Sequence, residues 1–470
     1  MATVIGGSSF PLDFTESDVS EYLFLLLTQR GANYIKGDYR ALGLREATVE
    51  FFGRGFTYDA DDLPRGGTVT GVRETISGNV ISDIRGISVP VPTLNFWIAN
   101  SLTEEAQSFI LRGDDVIVAT PFDDYIIGYD GNDNITLLGG NDIVEGRAGQ
   151  DTISGSAGID TAIVSGSESE YEIVSWSNIT GVLPLTNGRL ILDGVDKLID
   201  IEQIAFDATF AVVTIGRPNF SPLEYIASHR DLSMVFGVNA SAGFEHYIYR
   251  GFYEGRDVSF SSAQYLAANS DLRAAFGPDL DAAAAHFIST GSREGRQTEY
   301  DGLSYIASYP DLIRVLGANA DAGALHFLTA GQREGRSISF SPLEYTASHR
   351  DLISAFGLNE AASATHYITA GASEGRRTTF DGLQYIASHR DLIQAFGADE
   401  DKGAAHFIAS GSRENRSADS FDENQYLRNY ADLRVAVGND TKAATIHFIT
   451  NGAAEGRTDD FLLSSSDFIT

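Results

Sequence analysis

Residues 128–160 read GYDGNDNITLLGGNDIVEGRAGQDTISGSAGID, and aspartate returns every nine positions at Asp133, Asp142, Asp151 and Asp160, each with a glycine two residues before it. The same phase extends back through Asp124 and Asp115. Two positions after each aspartate stands an apolar side chain: Ile117, Ile126, Ile135, Val144, Ile153 and Ala162. Each unit therefore reads as a polar turn followed by a very short strand, with glycine supplying the positive φ of a tight reversal. Such a strand buries nothing alone and must stack on copies of itself. The economical fold is a right-handed coil in which one nonapeptide crosses one face and the next returns along the other, eighteen residues per coil.

That period decides which aspartates meet. Residues eighteen apart lie one above another at roughly 4.8 Å, so Asp115, Asp133 and Asp151 form one row and Asp124, Asp142 and Asp160 the opposite row. Carboxylates stacked so closely repel unless a cation lies between them. With turn carbonyls and the side-chain oxygens of Asp130, Asn132 and Asn141 they make an oxygen-only, adaptable ligand set. Such a set suits calcium better than zinc, which prefers nitrogen and sulfur, or magnesium, which demands stricter octahedral geometry. The expected metal ligands are therefore Asp115, Asp124, Asp130, Asn132, Asp133, Asn141, Asp142, Asp151 and Asp160, and calcium is the expected cofactor.

The pattern G-G-x-G-x-D-x-U-x carried by residues 110–162 resembles the hemolysin-type calcium-binding repeats of the repeats-in-toxin family. The resemblance is strongest from Gly128 to Asp160. Before it, Phe122 replaces a turn glycine and Ile110 and Ala119 occupy other glycine positions. The resemblance implies a calcium-binding parallel β-roll in a secreted, extracellular or cell-surface protein of a Gram-negative-type bacterium, exported by type I secretion machinery. The terminal TDDFLLSSSDFIT, with Asp467-Phe468-Ile469, looks like the ending of such exported proteins.

Composition fits that setting. The 470 residues carry a formal charge of −32 and no cysteine, so disulfides do not hold the fold and no basic surface invites nucleic acid. No apolar run approaches the roughly 18 residues needed to span a bilayer. The opening MATVIGGSSFPLDF lacks the basic start and apolar stretch of a cleaved signal peptide.

A second repeat fills the rest. From Phe220 the sequence repeats every 40 residues through Phe260, Tyr300, Phe340 and Phe380, then shifts by one to Phe421. Each copy reads approximately F-x-x-x-x-Y-[IL]-A, then D-L, F-G and H-[FY]-I-x-x-G-x-x-E-G-R. Tyr225, Leu232 and Phe236 fall at helical spacing and Gly237 ends that segment. His246, Tyr247 and Ile248 belong to a following helix that ends at Gly251. Stacked helical hairpins are expected. His246, His286, His326, His366, His406 and His447 belong to separate units and cannot converge on a metal, so each is read as a packed, hydrogen-bonded side chain. Glu254-Gly255-Arg256 and its copies read as polar clasps from repeat to repeat.

The expected organisation is a β-rich N-terminal domain (1–105), the β-roll (106–162), a β cap with turns at Asn187-Gly188 and Asp193-Gly194 (163–217), six helical repeats (218–459) and a secretion-signal-like tail (460–470). The first histidine is His229, and H-E-x-x-H and cysteine nucleophiles are missing. The favoured reading is a non-enzymatic binding or adhesion protein whose helical array meets carbohydrate or a cell-envelope component. The alternative is a secreted polysaccharide-active or other hydrolytic enzyme with its site in residues 1–105.

Overall fold

The structure is a computed structural model that describes residues 1–9, 11–15, 19–39, 46–216 and 218–460. The tail expected to carry the export motif lies outside them. Residues 1–257 form one compact unit, and the described residues from Val258 onward form a second.

The first unit is built on a long antiparallel sheet that runs without a break into a stack of short parallel strands. Strands β1 (Thr3–Gly6), β2 (Leu26–Arg30), β3 (Tyr34–Asp38), β4 (Ala47–Tyr58), β5 (Pro64–Ile76) and β6 (Asn79–Pro90) make the antiparallel part in the order β1-β6-β5-β4-β3-β2. Helices α1 (Val91–Asn100) and α2 (Thr103–Ile110) follow. The nonapeptides then give β7 (Val116–Val118), β8 (Tyr125–Ile127), β9 (Asn134–Thr136), β10 (Ile143–Glu145), β11 (Thr152–Ser154) and β12 (Thr161–Val164). Alternate strands belong to opposite sheets: β7, β9 and β11 pair in parallel in one, and β8, β10 and β12 in the other. The eighteen-residue coil is thus realised. The central residue of each strand points between the sheets, and Ile117, Ile135, Ile153, Ile126, Val144 and Ala162 are all almost wholly buried.

Both ends of the stack are covered. At the start β1 pairs in parallel with β7, Val4 opposite Ile117, so the chain's opening residues act as a preceding coil. The same sheet therefore crosses the boundary expected at residue 105. At the far end β15 (Asp196–Ile199) and β16 (Gln203–Phe206) add one more parallel coil on β11 and β12. The antiparallel strands β13 (Tyr171–Trp176), β14 (Ile179–Pro184) and β17 (Ala211–Thr214) then close the edges. The turn expected at Asn187-Gly188 is instead a short helix, α3 (Asn187–Leu192), because the Thr186 hydroxyl caps it by accepting the Arg189 N–H at 3.3 Å.

The repeats are helical, but each copy has three short segments rather than a hairpin. In the first copy, which belongs to the first unit, these are α4 (Pro222–Ser228), α5 (Arg230–Phe236) and α6 (Ala240–His246), the last running on into a π-helical turn through Gly251. Tyr225 and Leu232 lie on different helices because His229, extended at φ −127°, breaks the run between them. Phe244 and Ile248 of this copy pack with Val174, Leu183 and Val195 of the cap.

The second unit holds the other five copies. In each, an invariant tyrosine is fully buried (Tyr265, Tyr305, Tyr345, Tyr385 and Tyr426). Its hydroxyl meets the histidine Nδ1 of its own copy at 2.9–3.0 Å, as Tyr225 meets His246 in the first unit. All six histidines are thereby hydrogen-bonded structural groups. The opening aromatic of each copy lies against the residue after that histidine, with ring centroids 4.9 Å apart for Tyr300 and Phe327. The arginine clasps close within a copy rather than between copies: Arg336 binds Asp311 at 2.9 Å and Glu334 at 2.5 Å, all three within one 40-residue repeat. Successive copies are joined by serine instead, as where Ser348 Oγ accepts the N–H groups of Thr379 and Phe380 at 2.8 and 2.9 Å.

Candidate metal centre

The six phase-locked aspartates form two ladders inside the roll. In one, the Asp115 N–H donates to Asp133 Oδ1 and the Asp133 N–H to Asp151 Oδ1, both at 2.8 Å. In the other, the Asp124 N–H donates to Asp142 Oδ1 at 2.8 Å and the Asp142 N–H to Asp160 Oδ1 at 3.0 Å. These are the two rows expected from the spacing, and every member is at most 3% exposed.

Each ladder is longer than the repeat. The Asp151 N–H donates to Asp196 Oδ1 at 3.1 Å, and the Asp160 N–H donates to Glu202 Oε2 at 2.9 Å. Sequence reasoning missed these two carboxylates because the stretch 163–195 breaks the nine-residue phase. A signal was present nonetheless: Asp196-Lys197-Leu198 and Glu202-Gln203-Ile204 repeat the acid-x-apolar phrase. At the opposite end the ladders stop. The N–H groups of Ala2 and Leu12 donate to Oδ1 of Asp115 and Asp124, and neither residue adds a carboxylate.

The second oxygens are the informative ones. Oδ2 of Asp115, Asp133, Asp142, Asp151 and Asp160 is buried with no hydrogen-bond partner. An unmatched buried carboxylate oxygen is costly, so these acceptors, three in one ladder and two in the other, ask for a positive partner. Asp124 differs: its Oδ2 accepts the Thr120 N–H at 2.7 Å and the Thr120 hydroxyl at 2.8 Å, so it is already satisfied. Burial pushes the Asp133 carboxyl up to about 8 and the Asp142 carboxyl up to about 7, with the neighbouring aspartates of each row adding to the rise. Burial likewise raises Asp115, Asp124, Asp151 and Asp160, and Asp196 at the end of its row is raised by burial and then by Asp151.

These residues fit a hard divalent cation. The donors are oxygens alone, and glycine keeps the space beside them open. A Cβ on Gly128 would stand 2.6 Å from Asp133 Oδ2 and 2.8 Å from the Gly146 carbonyl oxygen, and a Cβ on Gly146 or Gly155 would stand closer still to Oδ2 of Asp151 or Asp160. Beside Asp142 the corresponding position is Leu137, fully buried. Among the described residues no three His, Cys, Asp or Glu side chains converge on one point. A ladder supplies carboxylates in successive pairs, so further ligands would be backbone carbonyls.

The polar residues outside the ladders have another task. Asn132 Oδ1 accepts the Gln150 N–H at 2.8 Å and Asn141 Oδ1 accepts the Ile159 N–H at 3.0 Å, while their own N–H groups donate to Asp114 and Asp123 at 2.9 and 2.7 Å. They form an outer, exposed column that stitches coil to coil. Asp130 is exposed and meets Ala148 through its backbone. The turns also hold four non-glycine residues at positive φ: Tyr129 (71°), Leu138 (74°), Arg147 (67°) and Ser156 (79°). That conformation is uncommon outside glycine and persists where the surroundings enforce it.

Residues 111–144 and, overlapping them, 130–162 match the family model of the RTX calcium-binding nonapeptide repeat, described as four copies. The roll is a calcium-binding repeat by this measure, and the match ends before Asp196 and Glu202. No curated protein matches the chain.

Proposed function

We propose that this is a secreted, extracellular or cell-surface calcium-binding protein without catalytic activity, in which calcium completes the roll and the helical repeats present a surface to carbohydrate or another envelope component. The observation that carries the calcium part is the set of five buried carboxylate oxygens without partners, shared between the two ladders. Asp115, Asp133, Asp151 and Asp196 would hold ions on one side, and Asp142, Asp160 and Glu202 on the other, with Asp124 a weaker contributor because Thr120 already occupies it. Asp130, Asn132 and Asn141 belong to the wider ligand set expected from the sequence, although the asparagine oxygens already accept backbone N–H groups. Bound calcium supplies the positive charge that lets successive carboxylates stand ionised one above another. Because the carboxylates come together only in the coiled state, metal binding and folding of the roll are one equilibrium. Export by type I machinery is the route that suits the family of the repeat and a chain free of cysteine.

The test uses the full chain. Equilibrium dialysis should give saturable calcium uptake, and the calcium-loaded protein should be retained on at least one envelope polysaccharide in a glycan and envelope-fraction screen. Absence of saturable uptake at millimolar calcium would end the calcium reading. Uptake with no retention anywhere would end the adhesion reading alone.

A further inference from the structure

The antiparallel part of the first unit contains a cavity that the ladders do not use. Its volume is about 510 Å³, within the range of pockets that enclose a small organic ligand. Its walls are mostly apolar, among them Val72, Ile84, Leu94 and Leu111. One polar group is set into them with care. The Glu74 carboxylate on β5 accepts the Tyr22 and Tyr39 hydroxyls on Oε1 at 2.9 and 3.1 Å, and the Ser82 hydroxyl on Oε2 at 3.1 Å. A carboxylate has about four acceptor positions, so these three donors fix its orientation and leave one position on Oε2. The charge in the cavity has a single sign. Asp13, Glu21 and Asp123 also line it, and among the described residues no lysine, arginine or histidine does.

A mostly apolar cavity with an oriented carboxylate and no cation among its described lining residues selects against fatty acids and other anionic amphiphiles. It favours an amphiphile whose head donates hydrogen bonds and carries positive charge. We propose that this cavity binds one amphiphilic amine per chain, its alkyl tail along Val72, Ile84 and Leu94 and its ammonium group hydrogen-bonded to Glu74 Oε2. Glu74 belongs to neither calcium ladder, although Leu12 and Asp123 at the start of the roll share the cavity wall.

The probe is decylamine, titrated calorimetrically into the calcium-saturated full chain at physiological salt, with decanoate and butylamine as comparisons. Decylamine should bind at one saturable site, decanoate at least tenfold more weakly, and butylamine, which has the charge without the tail, not measurably. E74Q keeps the shape of the side chain and removes its charge, and should weaken decylamine about tenfold or more. Ile84→Trp, which fills the cavity, should abolish binding, and circular dichroism should show that either variant keeps its fold. Decanoate binding as tightly as decylamine, an unchanged affinity in folded E74Q, or uptake spread over many sites and erased by salt would each overturn the proposal. Should E74Q fail to fold, unimpaired binding in folded Ile84→Trp overturns it alone.

Discussion

The roll and the helical array are both made of repeats, yet they treat buried polar groups in opposite ways. Each helical copy pairs its buried tyrosine with its own histidine, as Tyr305 and His326 do at 3.0 Å, and the charged Asp311, Arg336 and Glu334 stay near the surface. The roll buries one carboxylate per nonapeptide, gives Oδ1 to a neighbouring coil's N–H and leaves Oδ2 unmatched in five of six. A repeat closed upon itself is stable as written, whereas a repeat with an unmatched anion on every turn depends on something from outside.

The sharpest way to break that contrast is to remove calcium. In chelator, amides of β7 to β12 should lose nearly all hydrogen-exchange protection, while those of the copies from Ser262 onward keep theirs. Equal protection in both regions would mean that the carboxylate columns need no cation.

Mutations within the ladders come next in size. Asp133→Ala with Asp142→Ala strikes both rows, and should raise half-saturating calcium by more than tenfold and remove most bound ions. Asp142→Ala with Asp124→Ala strikes one row, and the second change should add little because Thr120 already satisfies Asp124. If the one-row pair were the severe one, adjacent turns would share ions and the two-ladder arrangement would be wrong. Calcium stoichiometry read as a double-mutant comparison decides it.

Acidity should separate the regions more gently. Burial raises Asp133 to about 8 and Asp142 to about 7 in the metal-free fold, against about 3.9 in an unfolded chain. The folded roll therefore holds more protons than the unfolded one from about pH 4 to about pH 8. Its metal-free stability is fullest at the acid end and falls as pH rises through that window. Calcium must displace those protons, so half-saturating calcium should fall over the same rise. Calcium titrations at several pH values check this, and half-saturating calcium that rises towards pH 8 would contradict it.

The smallest effects belong to the array. A Cβ at Gly331 would collide with the Tyr305 hydroxyl, so Gly331→Ala should cost about 1–3 kcal/mol. Tyr305→Phe removes one hydrogen bond to His326 and should cost about 1 kcal/mol. Arg336→Ala should barely change a denaturant melt of the helical signal, since its ion pairs are exposed. None of the three should alter calcium uptake, and a change there would link the two regions.

Much of this could be read before any coordinates. A nine-residue aspartate phase with an apolar residue two places on fixes strand, turn and coil together, because a two-sided stack admits only residues eighteen apart as neighbours. The 40-residue repeat was equally legible, though its number of helices was not: Tyr225, Leu232 and Phe236 fit one helical face, and only the extended backbone at His229 divides them. Asp196 and Glu202 were hidden for a related reason. Periodicity detects what keeps phase, and these two return to the ladder after an excursion through β13, β14 and α3.

The sequence by itself determined the two rows, the oxygen-only chemistry and the buried apolar spine, since all three follow from local spacing along a regular coil. Tertiary structure decided where the rows end, with Ala2 and Leu12 at one side and Asp196 and Glu202 at the other, and which carboxylates remain unmatched. It also decided that Tyr22, Tyr39 and Ser82 gather around Glu74. These contacts join residues far apart in the chain, and no spacing rule reaches across the folds that bring them together.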